Sequence, residues 1–108
     1  MIDALKVVYH TKHCFDKSTY SAYGNPDFRA WAAGANRLLI TGVVAECCVL
    51  ATAMDAIDVG TKIVYLTDAC AGSSLLKEQA VITLLRGFSP IHALVMTTQE
   101  YLNQKEKD

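Results

Sequence analysis

Apolar and polar stretches alternate along the chain in a way that predicts strands and helices in turn. Short apolar runs bounded by turn residues predict four strands, and runs with apolar residues three and four apart predict the helices between them. The predicted strands cover residues 6–11, 38–41, 62–67 and 91–96. Because these strands are continuously apolar, the pattern predicts an α/β fold of three layers, with a mostly parallel sheet covered by helices on both faces.

The helix boundaries are indicated by capping residues. Asn25 and Pro26 predict the start of the first helix, with Asn25 as the N-cap, and Gly34 predicts its end. Phe28 and Trp31 lie three residues apart and should share the buried face of this helix. The remaining helices are predicted over residues 49–60, 73–87 and 97–104, the last as a terminal helix or a frayed tail.

Composition narrows the class of protein. The 108 residues and 52% hydrophobic content predict a single packed domain over residues 1–108. The net charge of −1 gives no basic surface for nucleic acid. Neither a membrane-spanning apolar run nor a secretory leader is evident, so we expect a cytoplasmic protein without a membrane partner. The four cysteines do not form a disulfide framework and should be reduced.

Cys47 and Cys48 lie at the junction between the strand over residues 38–41 and the helix that follows it. The free N–H groups and the positive dipole end of a helix favour a thiolate, and they can also bind the oxyanion that forms when sulfur attacks a carbonyl. The alternative is that both cysteines are small core residues, because a free cysteine is usually buried and inert. Local pattern alone leaves both interpretations open.

The run GVVAECCV, residues 42–49, with the ATA and DA that follow it, resembles the signature of the isochorismatase-like cysteine hydrolases. This family includes nicotinamidases and N-carbamoylsarcosine amidase. Its nucleophilic cysteine comes six residues after the glycine and is followed by valine, which selects Cys48 and not Cys47. The resemblance implies that the backbone N–H groups of Val44 and Cys48 form the oxyanion hole. It also implies a cis peptide bond between Val43 and Val44.

The segment DKSTYSAY, residues 16–23, resembles the family's K-x-x-Y-S-A-F segment and implies that Lys17 is the catalytic lysine. A lysine near a thiol stabilises the thiolate by Coulomb attraction. Without the resemblance, a lysine beside an aspartate would be a solvated surface charge. Tyr20 and Tyr23 either line the substrate pocket or pack locally, and His13 is a further candidate for the pocket wall.

The run DACAG, residues 68–72, also matches the family. The resemblance implies a structural aspartate, so we expect Asp68 to be a turn or cap residue. Cys70 is expected to lie in the core.

His10, His13 and Cys14 follow the first predicted strand and are potential zinc ligands. Some family members hold a metal near the corresponding strand end. The second pair of ligands that a structural zinc site needs is not evident, so no cofactor is expected. The histidines would then be hydrogen-bonded or would line the pocket.

The resemblance covers residues 7–101, and one family feature is missing from it. The family places a catalytic aspartate at the end of an earlier strand, and Asp3 cannot supply it, because a parallel crossover needs about a dozen residues. We therefore expect the chain to lack the family's first strand and to be incomplete at its N-terminus, or to be completed by another group or subunit. Glu46 and Asp16 are nearby carboxylates, but the sequence does not show that either reaches Cys48.

The resemblance implies a cysteine hydrolase that cleaves the C–N bond of a small amide or ureide through a thioester. Two alternatives remain: a non-catalytic family member that acts as a binding or assembly subunit, and a small His/Cys metal protein. A sheet edge left open by a missing strand also predicts a homo-oligomer, a dimer or larger.

Overall fold

The computed structural model describes residues 14–107, with side chains described over residues 14–104, and its centre is a parallel sheet. The strands are β1 (Arg37–Val43), β2 (Lys62–Ala71) and β3 (Ala93–Met96), in the order β1-β2-β3. Both neighbouring pairs run parallel. The strand predicted over residues 6–11 lies outside the described residues.

In the described residues, four α-helices accompany the sheet. They are α1 (Pro26–Ala32), α2 (Leu50–Asp58), α3 (Leu75–Arg86) and α4 (Thr98–Lys107). The Asn25 side chain caps α1 by accepting hydrogen bonds from the N–H groups of Asp27 and Phe28, as its sequence position predicts. None of the helices in the described part of the chain is long and apolar enough to cross a membrane.

Both faces of β2 are covered. Ile63 and Tyr65 are buried in the same cluster as small and apolar residues of α2 and α3. Val64 and Leu66 point to the opposite face, because side chains alternate along a strand, and they are also buried. Helix α4 contacts β2 as well. The predicted α/β sheet with helices on both faces is therefore confirmed.

Two sequence predictions need correction. Trp31 is 45% exposed, so it does not lie on the buried face of α1. The fully buried position belongs to its neighbour Ala32, and Trp31 packs at the surface against Phe15 and Phe28. Strand β2 also continues beyond the predicted end at residue 67, because its final residues pair with β1 again.

The pairing of β1 with β2 shifts register near the ends of both strands. Ile40 pairs with Tyr65, and the next pair is Gly42 with Cys70, so one residue of β1 faces a four-residue excursion of β2. Asp68 lies in this excursion, and its carboxylate accepts hydrogen bonds from the N–H and the hydroxyl of Thr98, both at 2.8 Å. Asp68 therefore caps α4, which confirms its predicted structural role.

Replacing Leu85 with alanine should destabilise the fold by about 2–5 kcal/mol, because its fully buried side chain would leave a cavity. Leu84, the adjacent residue on α3, is 56% exposed and provides a matched control. Urea unfolding should give a change below about 1 kcal/mol for Leu84→Ala. Equal losses for the two variants would contradict the assigned face of α3.

Asp68→Ala should lower the free energy of unfolding near neutral pH. It should also make that free energy fall less steeply as the pH is lowered. The hydroxyl and the N–H of Thr98 hold the pKa of Asp68 below its ordinary value. The resulting stability is present above the unfolded-state pKa of about 3.9 and is lost as the pH falls through the folded-state pKa. Thermal unfolding from pH 7 to pH 2 measures this. Thr98→Ser keeps both donors and should follow the wild type.

Candidate active site

The cysteine pair lies in a π-helical turn, Ala45–Val49, between the end of β1 and the start of α2. Ala45 and Val49 are buried and fix the turn to the core. The Val44 carbonyl oxygen accepts hydrogen bonds from the N–H groups of Cys47, at 3.0 Å, and Val49, at 3.3 Å. Cys47 and Cys48 are both partly exposed, so reagents in solvent can reach this turn.

The backbone before the turn has the conformation that the sequence resemblance implied. The peptide bond between Val43 and Val44 is cis. Gly42 has a φ of 121°, which L side chains rarely adopt, and this explains the glycine at the register shift. Among hydrogen bonds outside helices and strands in the described residues, none is donated by the Val44 N–H.

The two cysteines lie on different sides of the turn. Cys48 comes one turn before Thr52, whose hydroxyl oxygen accepts a hydrogen bond from the Ala22 N–H at 2.9 Å. Residues one turn apart share a face, so Cys48 lies on the side of α2 that meets the segment over residues 16–23. Cys47, the adjacent residue, does not share this face. This arrangement favours Cys48 as the residue that works together with that segment.

The segment that carries Lys17 is held at both ends by α1. The ring of Phe28 contacts Phe15 on one side, with centroids 5.7 Å apart, and Tyr23 on the other, at 5.1 Å. The Arg29 guanidinium donates a hydrogen bond to the Tyr23 carbonyl oxygen at 2.6 Å. Because both ends are fixed to one helix, the loop between them has a defined position beside α2.

Lys17 is hydrogen-bonded within its own loop in this structure. Its ammonium donates a hydrogen bond to the Thr19 carbonyl oxygen at 3.0 Å, and no described hydrogen bond joins it to Cys48. The Asp16 carbonyl oxygen accepts a hydrogen bond from the Asn25 side chain at 2.5 Å. The fold thus places Lys17 on the segment that meets α2, and its catalytic role stays a prediction.

The predicted pocket residues have different environments. Tyr20 is 69% exposed, whereas Tyr23 is 7% exposed and packs edge-on against Phe28. The Tyr23 hydroxyl lies near Thr61 without a hydrogen bond of ordinary geometry in the described residues, and burial raises its pKa. His13 lies outside the described residues. Tyr23 packs against Phe28, and a role of Tyr20 or Tyr23 in the substrate pocket stays a prediction.

Glu46 makes a contact that sequence reasoning did not identify. Its carboxylate accepts hydrogen bonds from the Ser73 N–H, at 3.2 and 3.3 Å, and from the Ser73 hydroxyl, at 2.5 Å. These bonds, with a smaller contribution from the Lys77 ammonium, hold the pKa of Glu46 below its ordinary value. No sequence signal marks this pair, because the two residues are 27 positions apart.

A family model for the isochorismatase domain matches residues 1–100 of the chain. The chain belongs to the isochorismatase family. Its fold agrees with that assignment. None of the curated proteins matches the chain significantly.

Several solved structures share the fold of this isochorismatase-family chain. A pyrazinamidase/nicotinamidase from Streptococcus mutans is 30% identical, with a TM-score of 0.68, and the match covers 86% of this chain and 52% of the Streptococcus chain. A nicotinamidase from Bacillus subtilis is 24% identical, with a TM-score of 0.69, and covers 87% and 53%. An isochorismatase-like hydrolase from Alkaliphilus metalliredigens is 23% identical, with a TM-score of 0.71, and covers 91% and 56%. The chain thus spans about half the length of these structures.

A cavity of about 220 Å³ lies away from Cys48, the predicted nucleophile. It is lined by Tyr23, Arg29, Ala33, Val59 and Thr61. Two of these residues follow the C-terminal end of α2, whereas Cys48 precedes its N-terminal end. A nine-residue helix is about 13 Å long, so this cavity is not the space in front of the thiol.

The zinc site that the sequence allowed would use His10, His13 and Cys14. His10 and His13 lie outside the described part of the chain, and Cys14 is exposed. Across the residues whose positions are described, no group of three or more histidine, cysteine, aspartate or glutamate side chains is arranged to hold a metal ion.

Cys70 has an environment unlike that of the cysteine pair. It is 7% exposed, which confirms the predicted core position, and its thiol donates a hydrogen bond to the Ile40 carbonyl oxygen at 3.5 Å. Burial raises the pKa of Cys70 to about 11, against smaller opposing effects of the Tyr65 hydroxyl and the Gly42 backbone. A buried thiol that keeps its proton is a poor nucleophile.

Cys70 should therefore resist alkylation in the folded protein. At pH 7.5 we expect iodoacetamide to label it at least about a hundredfold more slowly than the exposed Cys14, because both access and thiolate fraction are low. Peptide mass spectrometry of each cysteine gives the rates. In a denaturant the two rates should become similar, and fast labelling of Cys70 without denaturant would contradict its burial.

Proposed function

We propose that this isochorismatase-family protein is a cysteine hydrolase that cleaves the C–N bond of a small amide or ureide. The observation that carries the proposal is the position of Cys48. Its partly exposed thiol lies at the carboxyl end of β1 and the amino end of α2. In parallel α/β sheets, ligands bind at this edge of the strands. The likeness to solved structures named as nicotinamidases supports an amide as the substrate.

The proposed reaction proceeds through a thioester. The Cys48 thiolate attacks the amide carbonyl carbon, and the oxygen becomes an oxyanion held by the N–H groups of Val44 and Cys48. The C–N bond then breaks, the nitrogen takes a proton and the amine leaves. Water attacks the thioester, which releases the acid and regenerates the thiol. Lys17 favours the thiolate by Coulomb attraction when the substrate is bound.

The proton for the leaving nitrogen has to come from a neighbouring acid. In the described part of the chain, no carboxylate is hydrogen-bonded to Cys48. Glu46 is the nearest carboxylate in sequence, and Ser73 already uses both of its oxygens. Glu46 is thus held in a structural contact, and we propose that another carboxylic acid supplies this proton.

Self-association of identical copies is part of the proposal. Leu39 is 45% exposed on β1, which has one neighbouring strand among those described. An exposed apolar side chain on this strand supports contact with another chain.

Cys48→Ala should abolish ammonia release from the amide that the protein hydrolyses, by about a thousandfold or more, with little change in unfolding temperature. A panel of small primary amides and ureides, with nicotinamide and pyrazinamide included, would be screened for ammonia. Cys47→Ala is the matched control, since it removes the same thiol from the adjacent position. Its activity should stay within about threefold of wild type.

The same variants test the assignment without a known substrate. At pH 6, iodoacetamide should label Cys48 faster than Cys14 and Cys47, because we propose that Cys48 is the activated nucleophile of this turn. The reverse ranking of Cys47 and Cys48 would overturn the assigned nucleophile. Equal, slow labelling together with no turnover of any amide would favour the non-catalytic subunit.

A further inference from the structure

Three consecutive residues after β2 each make a polar contact that fixes the loop into α3. The Gly72 N–H donates a hydrogen bond to the Glu78 carboxylate at 3.0 Å. The Ser73 N–H and hydroxyl donate to Glu46. The Ser74 hydroxyl oxygen accepts from the Lys77 N–H at 3.2 Å and caps α3. Two of these contacts hold the loop to α3, and one reaches across to the cysteine turn.

Glu46 is the residue through which the loop reaches that turn. It lies two positions before Cys48, within the π-helical turn. Both carboxylate oxygens of Glu46 accept hydrogen bonds from Ser73, which donates through its N–H and its hydroxyl. Hydrogen bonds to an ionised carboxylate are about twice as strong as neutral ones and impose a tighter geometry. The contact therefore restrains the backbone immediately before the proposed nucleophile.

Gly72 leaves the space that this contact needs. A Cβ at this position would lie 2.6 Å from a Glu46 carboxylate oxygen and 3.0 Å from Cγ of Glu78. Real Cβ atoms essentially never approach another atom closer than 3.0 Å, so the Glu46 side chain would have to move. Both atoms belong to flexible side chains, so the cost in global stability is small and the effect falls on the position of Glu46.

We propose that Glu46 is a positioning residue that fixes the Cys48 turn against the β2–α3 loop through Ser73. Position 72 is a glycine because a side chain there would displace Glu46. This inference rests on the proposed cysteine-hydrolase function. Its direct readout, the rigidity of the turn, does not depend on turnover. Helix α3 also contacts the cysteine turn, so the restraint is continuous with the core.

The charges around Glu46 agree with a restraint held by an ionised carboxylate. Lys77 lies on the same side and favours the ionised form, whereas Glu78 contacts the neighbouring Gly72. Burial raises the pKa of Tyr65, and Cys70 contributes more to this shift than the two carboxylates do. Tyr65 is therefore neutral near neutral pH, and it adds no charge that opposes Glu46.

Glu46→Ala should loosen the turn and slow the chemistry of Cys48. We expect hydrogen exchange in a peptide covering residues 45–49 to become faster, by about tenfold, and Cys48 alkylation to become slower by about tenfold. Glu46→Gln keeps an acceptor for the Ser73 N–H and should recover most of both values. On an active substrate, the loss should appear in kcat with KM nearly unchanged, because the displaced groups act on the transition state.

Glu100→Ala is the matched control. Glu100 accepts a hydrogen bond from the Thr97 N–H at 2.8 Å at the start of α4, so the variant also removes an exposed glutamate that caps backbone. Exchange over residues 45–49 and alkylation of Cys48 should stay at wild-type values. An equal effect in Glu100→Ala and Glu46→Ala would mean that both act through global stability, and the positioning role would be rejected.

Gly72→Ala supplies an independent test. It should reproduce the effects of Glu46→Ala, and the double variant should be no worse than either single variant, because both remove the same contact. Additive effects would contradict the assigned reason for glycine. Unchanged exchange in residues 45–49 for Glu46→Ala would overturn the positioning role itself. If Cys48 of the wild type labels no faster than Cys14, the proposed function fails, while the exchange measurement still decides whether Glu46 holds the turn.

Discussion

The pairing of β1 with β2 is the constraint on which the rest of the structure depends. It runs in register to Ile40 and Tyr65, breaks, and resumes at Gly42 and Cys70. The excursion carries Asp68 to the start of α4, which ties the last helix to the sheet. The resumed pairing brings the end of β2 beside the end of β1, so the loops that leave both strands lie together. Without that second stretch of pairing, the loop that carries Ser73 would not be held beside the cysteine turn.

The candidate site is held by contacts between distant parts of the chain. Thr52 of α2 accepts a hydrogen bond from Ala22, and Phe28 packs against both ends of the segment that carries Lys17. The cysteine turn is fixed on its other side by Ser73. Each contact is modest, since exposed hydrogen bonds contribute little net stability. Their effect on function comes from geometry, because a small displacement of a nucleophile costs more in rate than in stability.

Sequence patterns predicted the elements better than the contacts between them. Apolar runs placed β1, β2 and β3, and Asn25 with Pro26 placed the start of α1, because these signals are local. The exposure of Trp31 was missed because periodicity shows which residues share a face and not which neighbour fills the core. The Glu46–Ser73 contact was missed for a related reason. It depends on the register shift in β2, and no local pattern encodes the residue against which pairing resumes.

Position within the fold separates the cysteines more clearly than residue type does. Cys70 lies in the resumed stretch of β2, where the core removes solvent and raises its pKa to about 11. Cys48 lies just beyond the paired end of β1, partly exposed and before the first full turn of α2. Desolvation disfavours a thiolate in the first environment, whereas solvent reaches the second. The same two strands thus produce both environments: Cys70 pairs with Gly42 inside the sheet, and Cys48 lies in the turn that follows β1.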